Sequence, residues 1–298
     1  KWENMDMNYL ALSRPSTFHK NFNGTLLQNV YYPIALAEKL HGDEMNAGQP
    51  DIICRFNRNF SWYFGADGNT PSTSYDFVSA VLHEMAHGLG FSGFFNDNGQ
   101  AGYFDNNSNL PSVYDYYIFN VAGQQLSDES LFSRPSFKLH EELTSGELKI
   151  SSETSGNSLW IYAPQTWNSG SSIYHLERGN GLMDTYAHKG EAIHTPEEET
   201  LEILSRIGWE SVVFNFAAFR DFEKGVVELP VEVGIDSEID VQNASMEVIF
   251  SKDYFMSFES VSLDFNQARE AFTGTIPMNF FQGNFQYYFK LTAADNRT

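Results

Sequence analysis

The chain has 298 residues, 42% of them hydrophobic, and its 26 Phe and 15 Tyr supply enough apolar volume for two folded domains rather than a disordered chain. A net charge of −21 argues against nucleic acid as a partner, because phosphates would be repelled. The single cysteine, Cys54, excludes internal disulfides and thiolate-cage zinc sites, and no apolar run reaches the ~18 residues that a membrane span needs. No charged-then-apolar leader opens the sequence, and its first residues read as the interior of a longer precursor.

In chain order, residues 32–40 predict a short helix, with Pro33 near its start and Gly42 beyond its end. Residues 51–56 read as a strand carrying Cys54, and residues 65–71 as a Gly/Asp/Asn/Pro loop. From Asp76 to Leu89 apolar residues fall at Val78, Val81, Leu82, Met85 and Leu89, the spacing of a helix with one face in a core. Ser74 or Asp76 can cap its start, and Gly88 and Gly90 can end it. After Ile207-Gly208-Trp209 the character changes. Short runs of alternating apolar and polar residues follow at 212–222, 226–235, 246–250, 261–265, 272–276 and 285–291. Lys224-Gly225, Asp236-Ser237 and Gln282-Gly283-Asn284 separate some of these runs as turns. Strands at this spacing predict an all-β sandwich over 210–298, preceded by an α+β domain over 1–209.

Chemistry is concentrated in His83-Glu84-Met85-Ala86-His87. Residues four apart share a helix face, so both imidazoles can bind one zinc ion. Glu84 then stands beside the metal, placed to take a proton from water and pass it to a leaving amine. A catalytic zinc needs a third protein ligand. No Glu occurs from Met85 through Asp128, which disfavours the class that uses a Glu from a nearby second helix. Gly93 stands where a compact His-x-x-Gly-x-x-His extension would place a histidine. The third ligand is left to a later histidine (His140, His175, His188 or His194) or to Asp97, Asp105 or Asp115. The loop Asn96-Asp97-Asn98-Gly99-Gln100, with Asp105, Asn106 and Asn107, offers oxygens to calcium but lacks the spacing and closing Glu of a known calcium loop.

The segment from His83 to Gly93 resembles the active-site helix and turn of the leishmanolysin-type metzincins. Two other segments are similar in the same order: Ser172-Ile173-Tyr174-His175-Leu176-Glu177 ahead of Gly181-Leu182-Met183-Asp184, and Glu199 onward to Ile207-Gly208-Trp209. The stretches 32–37 and 62–69 are similar to secreted bacterial members of that group. The resemblance spans roughly residues 30–209. It implies a zincin fold, one zinc ion held by His83, His87 and His175, and Met183 in a turn beneath the metal. Glu84 becomes the catalytic base, the substrate a protein or peptide, and the location secreted or cell-surface. The His175–Met183 spacing is shorter than in leishmanolysin, and the cysteine-rich scaffold is absent. Tyr186 is a candidate oxyanion donor. The strands after 210 are similar to immunoglobulin-like modules. Two rival functions remain: a zinc-dependent amidase or deacetylase acting on glycans, and a non-catalytic adhesion module stabilised by zinc.

Overall fold

The structure is a computed structural model that describes residues 1–104, 109–150, 159–177, 181–209, 212–217, 219, 227–237, 243–253, 255–278 and 286–292. Strands outnumber helices in a mixed α+β arrangement, and contacts divide the chain into two units, Lys1–Trp209 and Glu210–Thr298. Among the described residues no helix is long and apolar enough to cross a membrane.

The first unit runs β1 (Trp2–Glu3), β2 (Ala11–Pro15), β3 (Phe18–His19), β4 (Tyr32–Pro33), α1 (Ile34–His41), β5 (Ile52–Asn57), β6 (Trp62–Tyr63), β7 (Tyr75–Asp76) and α2 (Phe77–Leu89). It continues through β8 (Phe95–Asn96), β9 (Gly102–Tyr103), α3 (Val113–Tyr116), β10 (Ile118–Asn120), α4 (Phe137–Leu143), β11 (Leu148–Ile150), β12 (Leu159–Ile161) and α5 (Glu198–Ile207). Strand β5 lies between β1, which is parallel to it, and β2, which is antiparallel. Helix α2 packs on β2 and β5. Gly88 lets it come close, because a Cβ there would lie 2.2 Å from Ile52 Cγ2.

Helix α2 starts at Asp76, whose carboxylate accepts from Ser79 N at 2.7 Å and Ser79 Oγ at 2.8 Å, satisfying one of the orphan donors of the first turn. It ends at Gly90, in the positive-φ conformation that glycine adopts without strain. Two buried clusters flank the helix. One joins Phe91, Tyr114, Ile118, Leu139, Ile161, Met183 and Ile203, and the other joins Tyr32, Leu36, Val113 and Ile207. The end of α5 is tied back to the earlier helices. Lys39 Nζ donates to Gly208 O at 2.8 Å, and the Trp209 indole donates to Leu89 O at 2.7 Å.

The second unit is all-β. It contains β13 (Val212–Asn215), β14 (Glu228–Ser237), β15 (Ser245–Ser251), β16 (Glu259–Asn266), β17 (Ala271–Pro277) and β18 (Gln286–Thr292), hydrogen-bonded in the order β13-β14-β17-β16-β15-β18. All pairs are antiparallel. The first five residues of β16 pair with β15 and its last three residues pair with β17, so one strand changes partners and the sheet curls into a half-barrel. Period-two burial fills the inside, with Leu229, Val231 and Val233 from β14 and Met246, Val248 and Phe250 from β15. The turn expected at Asp236-Ser237 is instead the end of β14, because β13 supplies ladder partners in Val213 and Val212. The turns expected at Lys224-Gly225 and Gln282-Gly283-Asn284 lie outside the described residues.

Candidate metal centre

Three histidines converge on α2. His83 and His87 lie one turn apart, with ring centroids 4.8 Å apart, and His175 comes within 5.2 Å of the first ring and 4.9 Å of the second. One ring nitrogen of each lies within 4.8 Å of the other two. His175 arrives by a backbone route. Ile173 N donates to Tyr162 O at 2.6 Å and Tyr162 N donates to His175 O at 2.8 Å, so the returning chain runs beside the end of β12. Leu176 N then donates to Met183 O at 2.9 Å, which lays the turn carrying Met183 against the same segment. Met183 is fully buried.

The hydrogen bonds of the three rings fix their chemistry. His83 Nδ1 donates to Leu182 O at 2.7 Å, His87 Nδ1 to Phe91 O at 2.8 Å, and His175 Nδ1 to Ser171 O at 2.9 Å. A carbonyl oxygen only accepts, so each Nδ1 carries the proton, and in the neutral ring each Nε2 is then a bare acceptor. Yet His83 Nε2 and His87 Nε2 face one another at 3.1 Å. Two lone pairs at that distance repel unless a proton or a metal ion lies between them. Burial pushes all three rings below their usual pKa, His175 to about 3, and ring–ring repulsion adds to this for His87 and His175. Neutral imidazoles with convergent lone pairs are the donor set that zinc binds, with one position left for water or substrate.

Glu84 is buried, and its Oε2 has no hydrogen-bond partner. Burial raises its carboxyl to about 8. An unpartnered buried carboxyl is costly in a fold and is characteristic of sites that handle protons.

Several of the other candidates are engaged elsewhere. Asp97 is paired with His140 at 2.6 Å. Asp115 accepts from Phe94 N at 2.7 Å, Ser112 Oγ at 2.9 Å and the Tyr174 hydroxyl at 3.2 Å. His194 Nε2 donates to Asp76 Oδ1 at 2.9 Å, at the start of α2. Asp105 lies outside the described residues, as do Asn106 and Asn107 of the calcium expectation. Tyr186 is exposed and lies near Tyr162. Gly93 cannot be replaced by a histidine in this fold, because a Cβ there would lie 2.1 Å from Asp115 Oδ1.

A family model described as SPBPB7E8-like matches residues 7–121. The match includes His83, Glu84 and His87 and stops before His175. No curated protein and no solved structure matches the chain.

Two parts of the centre left no mark in the sequence. The three carbonyl acceptors, at Leu182, Phe91 and Ser171, are backbone groups that any residue would supply. Glu197 accepts from Leu182 N at 2.7 Å, yet in Glu197-Glu198-Glu199 it reads as an ordinary acid of a helix start.

Proposed function

We propose that the chain is a secreted or cell-surface zinc-dependent endopeptidase. In this reading residues 1–209 form a metzincin-like catalytic domain and residues 210–298 an immunoglobulin-like module. The observation that carries the proposal is the set of three imidazoles, each with its Nδ1 proton given to a backbone carbonyl and with one ring nitrogen of each within 4.8 Å of the other two. A structural zinc site would be closed by four protein ligands, whereas among the described residues this donor set has three, which favours catalysis over a purely stabilising role.

His83, His87 and His175 would hold the ion. Zinc in such a site supplies Lewis-acid polarisation of a carbonyl and acidifies water. Glu84 supplies the proton transfer. Its Oε2, free of other partners, accepts a proton from the attacking water. The same carboxyl can then hand the proton to the leaving amine nitrogen. Met183 packs without polar demands in the core beside the site. Leu182, its neighbour, orients the ring of His83.

The test is metal analysis joined to a cleavage assay. Purified protein is expected to hold about one zinc per chain and to cut unfolded proteins, with activity lost to a chelator and restored by zinc. Glu84→Gln should keep the metal and lose ~10²–10⁴-fold in turnover. Equal cleavage of a broad peptide library by chelated and reloaded protein would refute the reading. Deacetylation of glycans without peptide cleavage would move it to the amidase class.

A further inference from the structure

We infer that Glu197 is a positioning residue that sets the metal affinity of His83 through the backbone of Leu182. The inference rests on the zinc-site reading above. Glu197 stands just before α5, at the helix N-cap position, but makes no capping bond with its side chain. Its carboxylate is used in another direction. Oε2 accepts from Leu182 N at 2.7 Å, and Oε1 accepts from the hydroxyl of the fully buried Thr200. The carbonyl of the same Leu182 accepts the Nδ1 proton of His83 at 2.7 Å. One residue of the Met183 turn is therefore held from both sides, by a carboxylate on its N–H and by a ligand histidine on its C=O.

The turn is shaped for this contact. A Cβ on Gly181 would lie 2.8 Å from Glu197 Cδ, closer than any side chain tolerates, so glycine is what lets the carboxylate lie against the turn. Leu182 is buried, so an unpaired N–H there would have little access to water. Freed from Glu197, the turn can rotate, and the carbonyl that fixes the His83 tautomer and ring plane moves with it. Groups that orient a ligand histidine commonly change metal affinity 10–100-fold when removed.

The test compares zinc affinity, by competition with a chromophoric chelator, and the visible spectrum of the cobalt(II)-loaded full chain. Glu197→Ala should bind zinc at least about 10-fold more weakly than wild type and alter the cobalt spectrum. Glu197→Gln keeps an acceptor for Leu182 N and can still bond Thr200, so it should stay within about 3-fold of wild type. Glu197→Asp keeps the charge but is shorter by one carbon–carbon bond, ~1.5 Å, and should behave like the alanine variant. Ser136→Ala is the control. Ser136 caps α4 by accepting from Leu139 N at 3.1 Å and touches no ligand, so its loss should lower stability without moving zinc affinity. The inference is overturned if the alanine and aspartate variants bind zinc as wild type does, or if glutamine fails to rescue. Should Glu197→Ala not fold, the contrast between aspartate and glutamine decides alone. A wild-type chain that binds no zinc would instead sink the metal site itself.

Discussion

Asp115 offers a quantitative test of how the loops around the metal centre are held. Its carboxylate is wholly buried and joins three segments. It accepts from Phe94 N just beyond α2, from Ser112 before α3, and from Tyr174, the neighbour of His175. Burial pushes the carboxyl up, while the bonds from Phe94, Ser112 and Tyr174 pull it down, and the balance leaves it raised from 3.8 to about 6. That difference corresponds to roughly 3 kcal/mol between the protonated and ionised forms. The sign follows from linkage. The folded chain binds this proton more tightly than the unfolded chain does. The Asp115 contribution is therefore fully present below about pH 3.8 and is lost as pH rises through about 6. Asn at this position can keep an oxygen toward Phe94 N and Ser112 and turn its amide nitrogen to the Tyr174 oxygen, but it does not titrate. Urea unfolding of metal-free protein between pH 4 and 7 should show wild type losing roughly 2 kcal/mol more than Asp115→Asn over that range, the rest of the difference being lost below pH 4. Trp fluorescence reads the first unit selectively, since Trp2, Trp62, Trp160, Trp167 and Trp209 all lie within it. A pH-independent difference between the two proteins would refute the reasoning. A difference of opposite slope would mean that the hydrogen bonds outweigh burial.

Two further outcomes are expected. His175→Ala should lose zinc and peptidase activity, while His188→Ala and His194→Ala keep both; His194→Ala should lose about 1 kcal/mol of stability with its bond to Asp76, measured by thermal unfolding beside metal content. Truncation after Trp209 should leave a chain that unfolds cooperatively and binds zinc, because His83, His87 and His175 and the clusters around them lie before that point; calorimetry and metal analysis check this.

Periodicity carried much of the fold. The 3.6-residue spacing from Val78 to Leu89 and the capping carboxylate at Asp76 correspond to α2, because a helix with one buried face writes its geometry into adjacent residues. The alternating runs after Trp209 correspond to β14–β18 for the same reason. Less legible was the change of partner along β16, since which strand pairs with which depends on contacts far apart in sequence. The short strands β6–β9 also carry no pattern, being two residues each.

The third histidine shows where local pattern stops and packing takes over. From spacing alone His140, His175, His188 and His194 were equivalent; resemblance favoured His175 by its order relative to Met183. Packing supplies an independent physical reason. His140 is held by Asp97 and His194 by Asp76, two carboxylates that stand apart from the cluster. His175 is drawn in by backbone bonds to Tyr162 and by the strand-like contact of Leu176 with Asp184, neither of which depends on side-chain identity. The position three residues after Gly90 is closed to a ligand because the Asp115 carboxylate occupies the space that a side chain on Gly93 would need. Asp115 and Tyr174 thus tie the chain just beyond α2 to the segment carrying His175. The same contact that excludes a ligand at position 93 helps bring one from position 175, and that coupling exists only once 81 residues of intervening chain have folded between them.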